Sequence, residues 1–220
     1  MEPEAPRRKL NPTRPASTAA PRLDTLLCAA QQVFLTKGYH DATMAAIARQ
    51  AGMSKRTVYT LVQSKAELFA ELLAHRQSKL QFPAPQPGWT LNDTLCANLM
   101  CLAQFLFDPV QLAITRLVVA EYAHSPDFSR AFLSNRMRKA KAHLETCLGD
   151  LGQTCGTSCT DARELASMLF GMALGEFHFG ALSGFRAPPS SKALEARVHL
   201  AVDTFLAGLC SRENRPASPR

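Results

Sequence analysis

From Ser54 to Thr60 the chain reads Ser-Lys-Arg-Thr-Val-Tyr-Thr, which gathers two cations, three hydroxyls and a phenol into seven positions. Lys55 and Arg56 can donate to guanine O6 and N7 or to a phosphate, and Thr57 and Thr60 can bond a phosphate or touch a thymine methyl. Such chemistry needs the run to sit at the exposed end of a helix that a core holds from behind. Ser54 is placed to cap a helix over roughly 55–62, since its hydroxyl can accept from a first-turn amide. Thr43 is placed to cap another, roughly 44–51, which Gly52 stops. Free amides at both helix starts, reinforced by the helix dipole, favour phosphate.

Two short helices crossing at a large angle call for small residues at the contact and a glycine in the turn, and Ala48 and Gly52 fill those places. Ile47, Ala51, Met53, Val58 and Leu61 then fill the space between both helices and a first helix over roughly 21–37, which has Pro21 in its first turn and ends at Gly38. The pattern Ser64-Lys-Ala-Glu67 reads as a capping box ahead of Leu68, Phe69, Leu72 and Leu73, opening a fourth helix. Three prolines and a glycine in residues 82–89, FPAPQPGW, interrupt the helical pattern and mark a boundary. Further helices follow over roughly 90–107, 109–123, 126–150, 160–182 and 190–210. No segment alternates as a strand does, so the expected fold is all-α.

The stretch GYHDATMAAIARQAGMSKRTVYTLVQSKAELF resembles the DNA-binding domain of TetR/AcrR-type transcriptional regulators. Phe34, Gly38, Tyr39, Thr43, Ala48, Gly52, Ser54, Tyr59 and Ser64-Lys65 carry the resemblance, in fixed order over about 45 residues. It implies that Thr43, Tyr59 and Lys65 hold a DNA backbone while Ser54, Lys55, Arg56, Thr57 and Thr60 face the groove. The chain departs from the family at Leu61-Val62, where an aromatic pair is usual; aliphatic residues suit a core there, but a phosphate contact from position 61 is lost. For Thr43 and Ser54, capping and DNA contact are compatible roles.

Charge points the same way. Residues 1–80 carry 12 of the 25 Lys and Arg but 6 of the 18 Asp and Glu, so a polyanion meets the N-terminal third. Four of those cations, Arg7, Arg8, Lys9 and Arg14, lie in a proline-rich tail that reads either as a minor-groove arm or as a disordered solubilising segment. The expected organisation is a disordered basic tail at 1–20, a helix-turn-helix domain at 21–81 with its motif at 43–62, a regulatory and dimerisation domain at 82–210, and a disordered tail at 211–220. The N-terminal segment has no signal-peptide pattern and no long uncharged apolar run follows, so a cytoplasmic protein without membrane partners is expected.

Seven scattered cysteines read as mostly buried, reduced thiols, with Cys155 and Cys159 forming a CxxxC that could chelate a metal or sense oxidation. His124, His143, His178 and His199 lack metal-site spacing. No cofactor or metal is expected. Neither a nucleophile motif nor a glycine-rich phosphate loop supports the alternative of a cysteine/histidine enzyme.

Residues 116–132, 170–184 and 202–209 are most similar to the AefR-like subgroup of the same superfamily, which implies a C-terminal half that binds a small ligand and dimerises. Gly171, Gly175 and Gly180 interrupt helix 160–182 at roughly 1 kcal/mol each, a cost that close packing would offset. The family places that helix and 190–210 in a four-helix dimer interface; tight packing within one subunit is the alternative. Trp89, Phe105, Phe107, Tyr122, Phe128, Met168 and Met172 could line a pocket or simply fill a core. The function implied is a homodimeric repressor that releases a palindromic operator on double-stranded DNA when a small apolar effector binds, with a DNA-bending protein lacking ligand response as a further alternative.

Overall fold

The computed structural model describes residues 19–124, 142–149 and 159–213; the two tails, Phe128 and the Cys155/Cys159 loop lie outside the described residues or side chains. Within them the chain is helical and holds no strand. The helices are α1 (Ala19–Asp41), α2 (Met44–Gln50), α3 (Lys55–Leu61), α4 (Lys65–Ser78), α5 (Leu91–Phe107), α6 (Pro109–Glu121), α7 (142–149), α8 (Cys159–Phe170), α9 (Glu176–Ser183) and α10 (Ser191–Glu213).

Two compact units divide the chain, residues 1–72 and 73–220, so the division falls inside α4 and ahead of the proline-rich segment. In the first, Leu26, Leu27, Ala30, Val33 and Phe34 of α1 are buried with Ile47, Ala48 and Val58. Gly38 breaks the helical geometry of α1 with φ 77° and ψ 170°, a conformation open to glycine and costly for other residues. Beyond this break Tyr39 stacks on Phe34 at 5.6 Å and tilts against Phe69 of α4 at 5.1 Å between ring centroids. An aromatic knot thus joins both ends of the unit.

The second unit is built on α5, whose Leu95, Leu99, Leu102 and Leu106 are buried with Val198, Ala201, Val202 and Phe205 of α10. Thr90 and Asp93 open α5 with a full capping box. Its hydrogen bonds to the Thr90 side chain and backbone hold the Asp93 carboxyl below the ordinary carboxylate range. Asp108 ends α5 and caps α6 by accepting from the Gln111 amide at 2.8 Å, and Pro109 supplies the first turn where no amide is needed.

One expected helix proves to be interrupted. A π turn over Gly171–Gly175 separates α8 from α9, placing a wider turn where two glycines give no side-chain hindrance. A Cβ built on Gly171 or Gly175 would meet nothing within 4 Å, so these glycines are not packed tightly inside this subunit. Gly180 differs, because a Cβ there would come within 3.1 Å of the Arg186 side chain. Glu176, just after the π turn, receives hydrogen bonds from both Arg186 and Arg197 at 2.8 Å.

The segment Ala162–Ser183 is long and apolar enough by composition to cross a membrane, and 39% of its most apolar window is buried. Its buried share includes Ala166, Leu169, Ala173 and Leu174, all part of the core around α5 and α10. Met168, Met172 and Phe179 are instead exposed.

Candidate nucleic-acid interface

Helix α3 is fixed from behind and open in front. Val58 is fully buried and Val62, just past the helix, is nearly so, whereas Ser54, Lys55, Arg56, Tyr59 and Thr60 are exposed and Thr57 is half-buried. Tyr59 keeps 51% of its surface open. The position of Leu61-Val62 explains why aliphatic residues serve there, with Val62 closing the core and Leu61 half-buried.

The entry to α3 is set by backbone chemistry. Gly52 adopts φ 63°, its amide donates to the Arg49 carbonyl at 3.1 Å, and the Met53 amide donates to the Ala48 carbonyl at 2.9 Å. These paired bonds make a Schellman motif, which satisfies the last carbonyls of α2 and turns the chain sharply. Ser54 then caps α3 by accepting from the Thr57 amide at 3.1 Å, and the two hydroxyls lie 2.9 Å apart. The Thr60 hydroxyl donates to the Thr57 carbonyl at 2.7 Å, which leaves its oxygen able to accept but its hydrogen in use. At the start of α2, Thr43 accepts from the Ala46 amide at 3.1 Å. Between α1 and α2, the Gln50 side-chain amide donates to Gln32 at 2.6 Å.

Lys65 has a role that sequence spacing did not disclose. Its ammonium donates to the carbonyls of Tyr39 at 2.8 Å and His40 at 2.9 Å, and lies 4.6 Å from the centroid of the Tyr39 ring. The cation therefore closes the end of α1 as it opens α4. Ser64 caps α4 by accepting from the Glu67 amide at 3.0 Å; Glu67, however, reaches back to the Gln63 amide at 2.6 Å rather than to Ser64's own amide. The expected box is present with its return bond shifted by one residue.

The described candidates for a pocket lining differ in burial. Tyr122, Met168 and Met172 are exposed, and Phe107 packs against the core with His178 edge-on to it at 6.1 Å. Phe105 lines a cavity of about 370 Å³ in the second unit, beside Arg76, Lys79 and Asp108. Those charged residues come from the α4 end and the α5–α6 corner, segments 32 positions apart in sequence at Arg76 and Asp108. Linear spacing carries no sign of that meeting.

Thiol burial also differs from expectation. Of the described thiols Cys96 is buried, Cys101 and Cys147 are half-buried and Cys28 is exposed, because Cys28 occupies the solvent side of an otherwise amphipathic α1. Cys96 Sγ lies 3.5 Å from His199 Nδ1, and burial together with the Asp203 and Asp93 carboxylates pushes its thiol up to about 11. Among the described residues no group of three or more His, Cys, Asp or Glu is arranged to hold a metal ion.

Residues 26–72 match the family profile of bacterial regulatory proteins of the tetR family, and residues 93–208 match that of the AefR-like transcriptional repressor C-terminal domain. The chain is similar to the HTH-type transcriptional activator FasR of Mycolicibacterium smegmatis, 42% identical over 72 residues, which are 33% of this chain and 33% of that protein. The match thus spans about a third of FasR's length. It is also similar to the HTH-type transcriptional regulator UidR of Escherichia coli K12, 25% identical over 166 residues, covering 70% of this chain and 81% of UidR. Among solved structures, a TetR-family transcriptional regulator from Mesorhizobium loti superposes with a TM-score of 0.71 at 28% identity, covering 87% of this chain and 98% of the other. With one profile matching residues 26–72 and the other matching more than half of the chain, the chain belongs to the TetR family of transcriptional regulators, with a C-terminal half of the AefR-like kind.

Proposed function

We propose that the protein is a homodimeric, effector-responsive repressor that releases a palindromic operator when a small, largely apolar molecule binds its C-terminal half. The observation that carries this reading is the outward face of α3, where Ser54, Lys55, Arg56, Tyr59 and Thr60 are exposed on a helix whose Val58 is sealed in the core. Ser54, Lys55, Arg56, Thr57 and Thr60 read the groove. Thr43 and Tyr59 hold phosphates, and Lys65 adds its positive charge while bracing the end of α1.

Two copies of α3 then read half-sites about 34 Å apart, one helical turn of DNA. An effector that prefers a dimer of different reading-head spacing lowers operator affinity, by no more than its own preference between the two states allows. Repression is favoured over activation because the AefR-like repressor profile spans residues 93–208, whereas the likeness to the activator FasR covers 72 residues. Such a protein works where the chromosome is, in the bacterial cytoplasm.

Selection of bound duplexes from a random pool tests the reading: the recovered sites are expected to be palindromic with half-sites one turn apart. Recovery of sequences without twofold symmetry sinks the dimeric operator, and recovery of no preference sinks sequence-specific reading.

An enzyme built on cysteine and histidine would use a pair such as Cys96 and His199, whose Sγ and Nδ1 lie 3.5 Å apart. A nucleophilic thiol needs a lowered pKa, and this one is raised to about 11. Iodoacetamide at neutral pH is accordingly expected to label Cys28 well before Cys96 in the folded protein, as mass mapping of peptides would show. Early labelling of Cys96 would revive the enzymatic reading.

A further inference from the structure

The start of α5 and the middle of α10 meet through two pairs of side chains, each pair four residues apart on its helix: Asn92 and Cys96 on α5, His199 and Asp203 on α10. Cys96 Sγ lies 3.5 Å from His199 Nδ1 and 3.4 Å from Asn92 Oδ1, and the Asn92 side-chain nitrogen donates to Asp203 Oδ1 at 2.6 Å. Sequence spacing gives no sign of this meeting, since 103 positions separate Cys96 from His199.

The bond to Asp203 fixes the amide. With its nitrogen turned to the carboxylate, its oxygen is turned to the sulfur. In the tautomer with its proton on Nε2, His199 also turns a lone pair to the sulfur. A single thiol hydrogen is then shared among a sulfur, a ring nitrogen and an amide oxygen, each of which can bind a cation.

We propose that Cys96, His199 and Asn92 bind a thiophilic divalent cation of the zinc class, with water in the fourth position. Bonds of about 2.3 Å to sulfur and about 2.1 Å to nitrogen that meet at a tetrahedral angle hold the two atoms roughly 3.6 Å apart. The 3.5 Å between Sγ and Nδ1 is close to that, and an oxygen ligand asks for nearly the same spacing from the sulfur, where Asn92 Oδ1 stands at 3.4 Å. Among the described residues no group of three His, Cys, Asp or Glu is arranged to hold a metal, so the third protein ligand is the amide oxygen. Three protein ligands and a water make up the tetrahedral shell.

On binding, the sulfur–hydrogen bond of Cys96 breaks, the proton passes to buffer, and the electron pair left on sulfur forms the bond to the metal. Asp203 remains behind Asn92 and keeps its oxygen aimed at the cation. The carboxylates of Asp203 and Asp93 oppose ionisation of the bare thiol but favour a cation bound to it. Cys96 is buried, Asn92 half-buried, and His199 and Asp203 exposed, so the sulfur is the floor of a site whose other members stand at the surface. Magnesium and calcium fit poorly, because they take oxygen ligands and this site offers sulfur and nitrogen.

The test is titration of the full chain, reduced and stripped of metal, with Co²⁺, whose bond to a thiolate gives a charge-transfer band in the near ultraviolet. The wild-type chain is expected to show that band, to lose it when Zn²⁺ displaces cobalt, and to keep it in a large excess of Mg²⁺. Cys96→Ser should remove the band of one cobalt equivalent. His199→Ala and Asn92→Ala should each weaken cobalt at that site by about tenfold or more, the scale on which metal sites respond to lost partners.

Circular dichroism reports whether each variant folds. His199 stands at the surface, so His199→Ala keeps the proposal open to refutation even where Cys96→Ser loosens the core. Absence of the band, a band undiminished in Cys96→Ser, an affinity unchanged in His199→Ala or Asn92→Ala, or displacement by Mg²⁺ each overturns the proposal. A band that persists in Cys96→Ser but vanishes in Cys155→Ser assigns the metal to the CxxxC pair and overturns it as well.

Discussion

Lys55→Ala and Tyr59→Ala are each expected to weaken binding to a selected operator by about 10- to 100-fold while leaving the melting temperature nearly unchanged. The affinity loss follows from the worth of one lost base or phosphate contact, about 1–3 kcal/mol. Unchanged stability follows from position, since Lys55 is exposed and Tyr59 keeps half its surface open while Val58 between them is sealed. Val58→Ala is the opposing control. It should lower stability and spoil binding only through the fold, since removing buried methyl groups leaves a cavity.

Salt sharpens the same experiment. A head that neutralises several phosphates releases their counterions, so the logarithm of affinity should fall steeply and linearly with the logarithm of salt concentration. Lys55→Ala should either flatten that slope by about one, if the lysine meets a phosphate, or leave it intact and relax base preference at one position. Gel shifts over a salt series distinguish these. Wild-type affinity in both variants would show that α3 does not face the DNA, and a flat salt response would show that the backbone is not gripped.

What the linear sequence disclosed about this head, and what it withheld, follows from the range of each interaction. Thr43, Ser54 and Gly52 act on amides and carbonyls a few positions away, so residue type and spacing suffice to place them. The burial of Val58 and the openness of Tyr59 follow from helical period in the same way. Lys65 is different, because its partner carbonyls stand 26 and 25 residues earlier and nothing in a local pattern links them. Glu67 shows the limit of a motif, since the box predicts a return bond but not which of two adjacent amides receives it.

The same difference of range holds in the second unit. Its helices and their breaks at Asp108-Pro109 and Pro188-Pro189 follow from periodicity, capping and proline, whereas the pairing of Arg76 with Asp108 requires two distant segments to meet. The π turn at Gly171–Gly175 has no spacing signature of its own, because the apolar residues on either side still fit a helical period. The glycines there were expected to repay their cost by close packing. An added Cβ at Gly171 or Gly175 would meet nothing within 4 Å, so close packing among the described residues does not offset that cost.

This gives the second large expectation. Phe179→Glu should convert the protein from a dimer, with twice its 24.0 kDa mass, to a monomer in sedimentation at micromolar concentration. Phe179 is 68% exposed and Phe185, edge-on to it at 6.5 Å, is 78% exposed, while Leu200 of α10 is 61% exposed. Large apolar side chains standing open near glycines at which an added Cβ would meet nothing within 4 Å suit a face covered by a second copy. A twofold axis repeats each contact, so one substitution removes the side chain from both subunits and adds two carboxylates to the interface. A buried aromatic anchor is worth about 2 kcal/mol or more, and two copies should raise the dimer dissociation constant on the order of a thousandfold. Operator affinity should fall with it, because a monomer holds one half-site and forfeits the gain from tethering a second reading head. A Phe179→Glu protein that stays dimeric and grips its operator as before would mean that the face is covered by something else. A monomer that still binds the full operator at wild-type strength would mean that the two reading heads do not depend on this contact to act together.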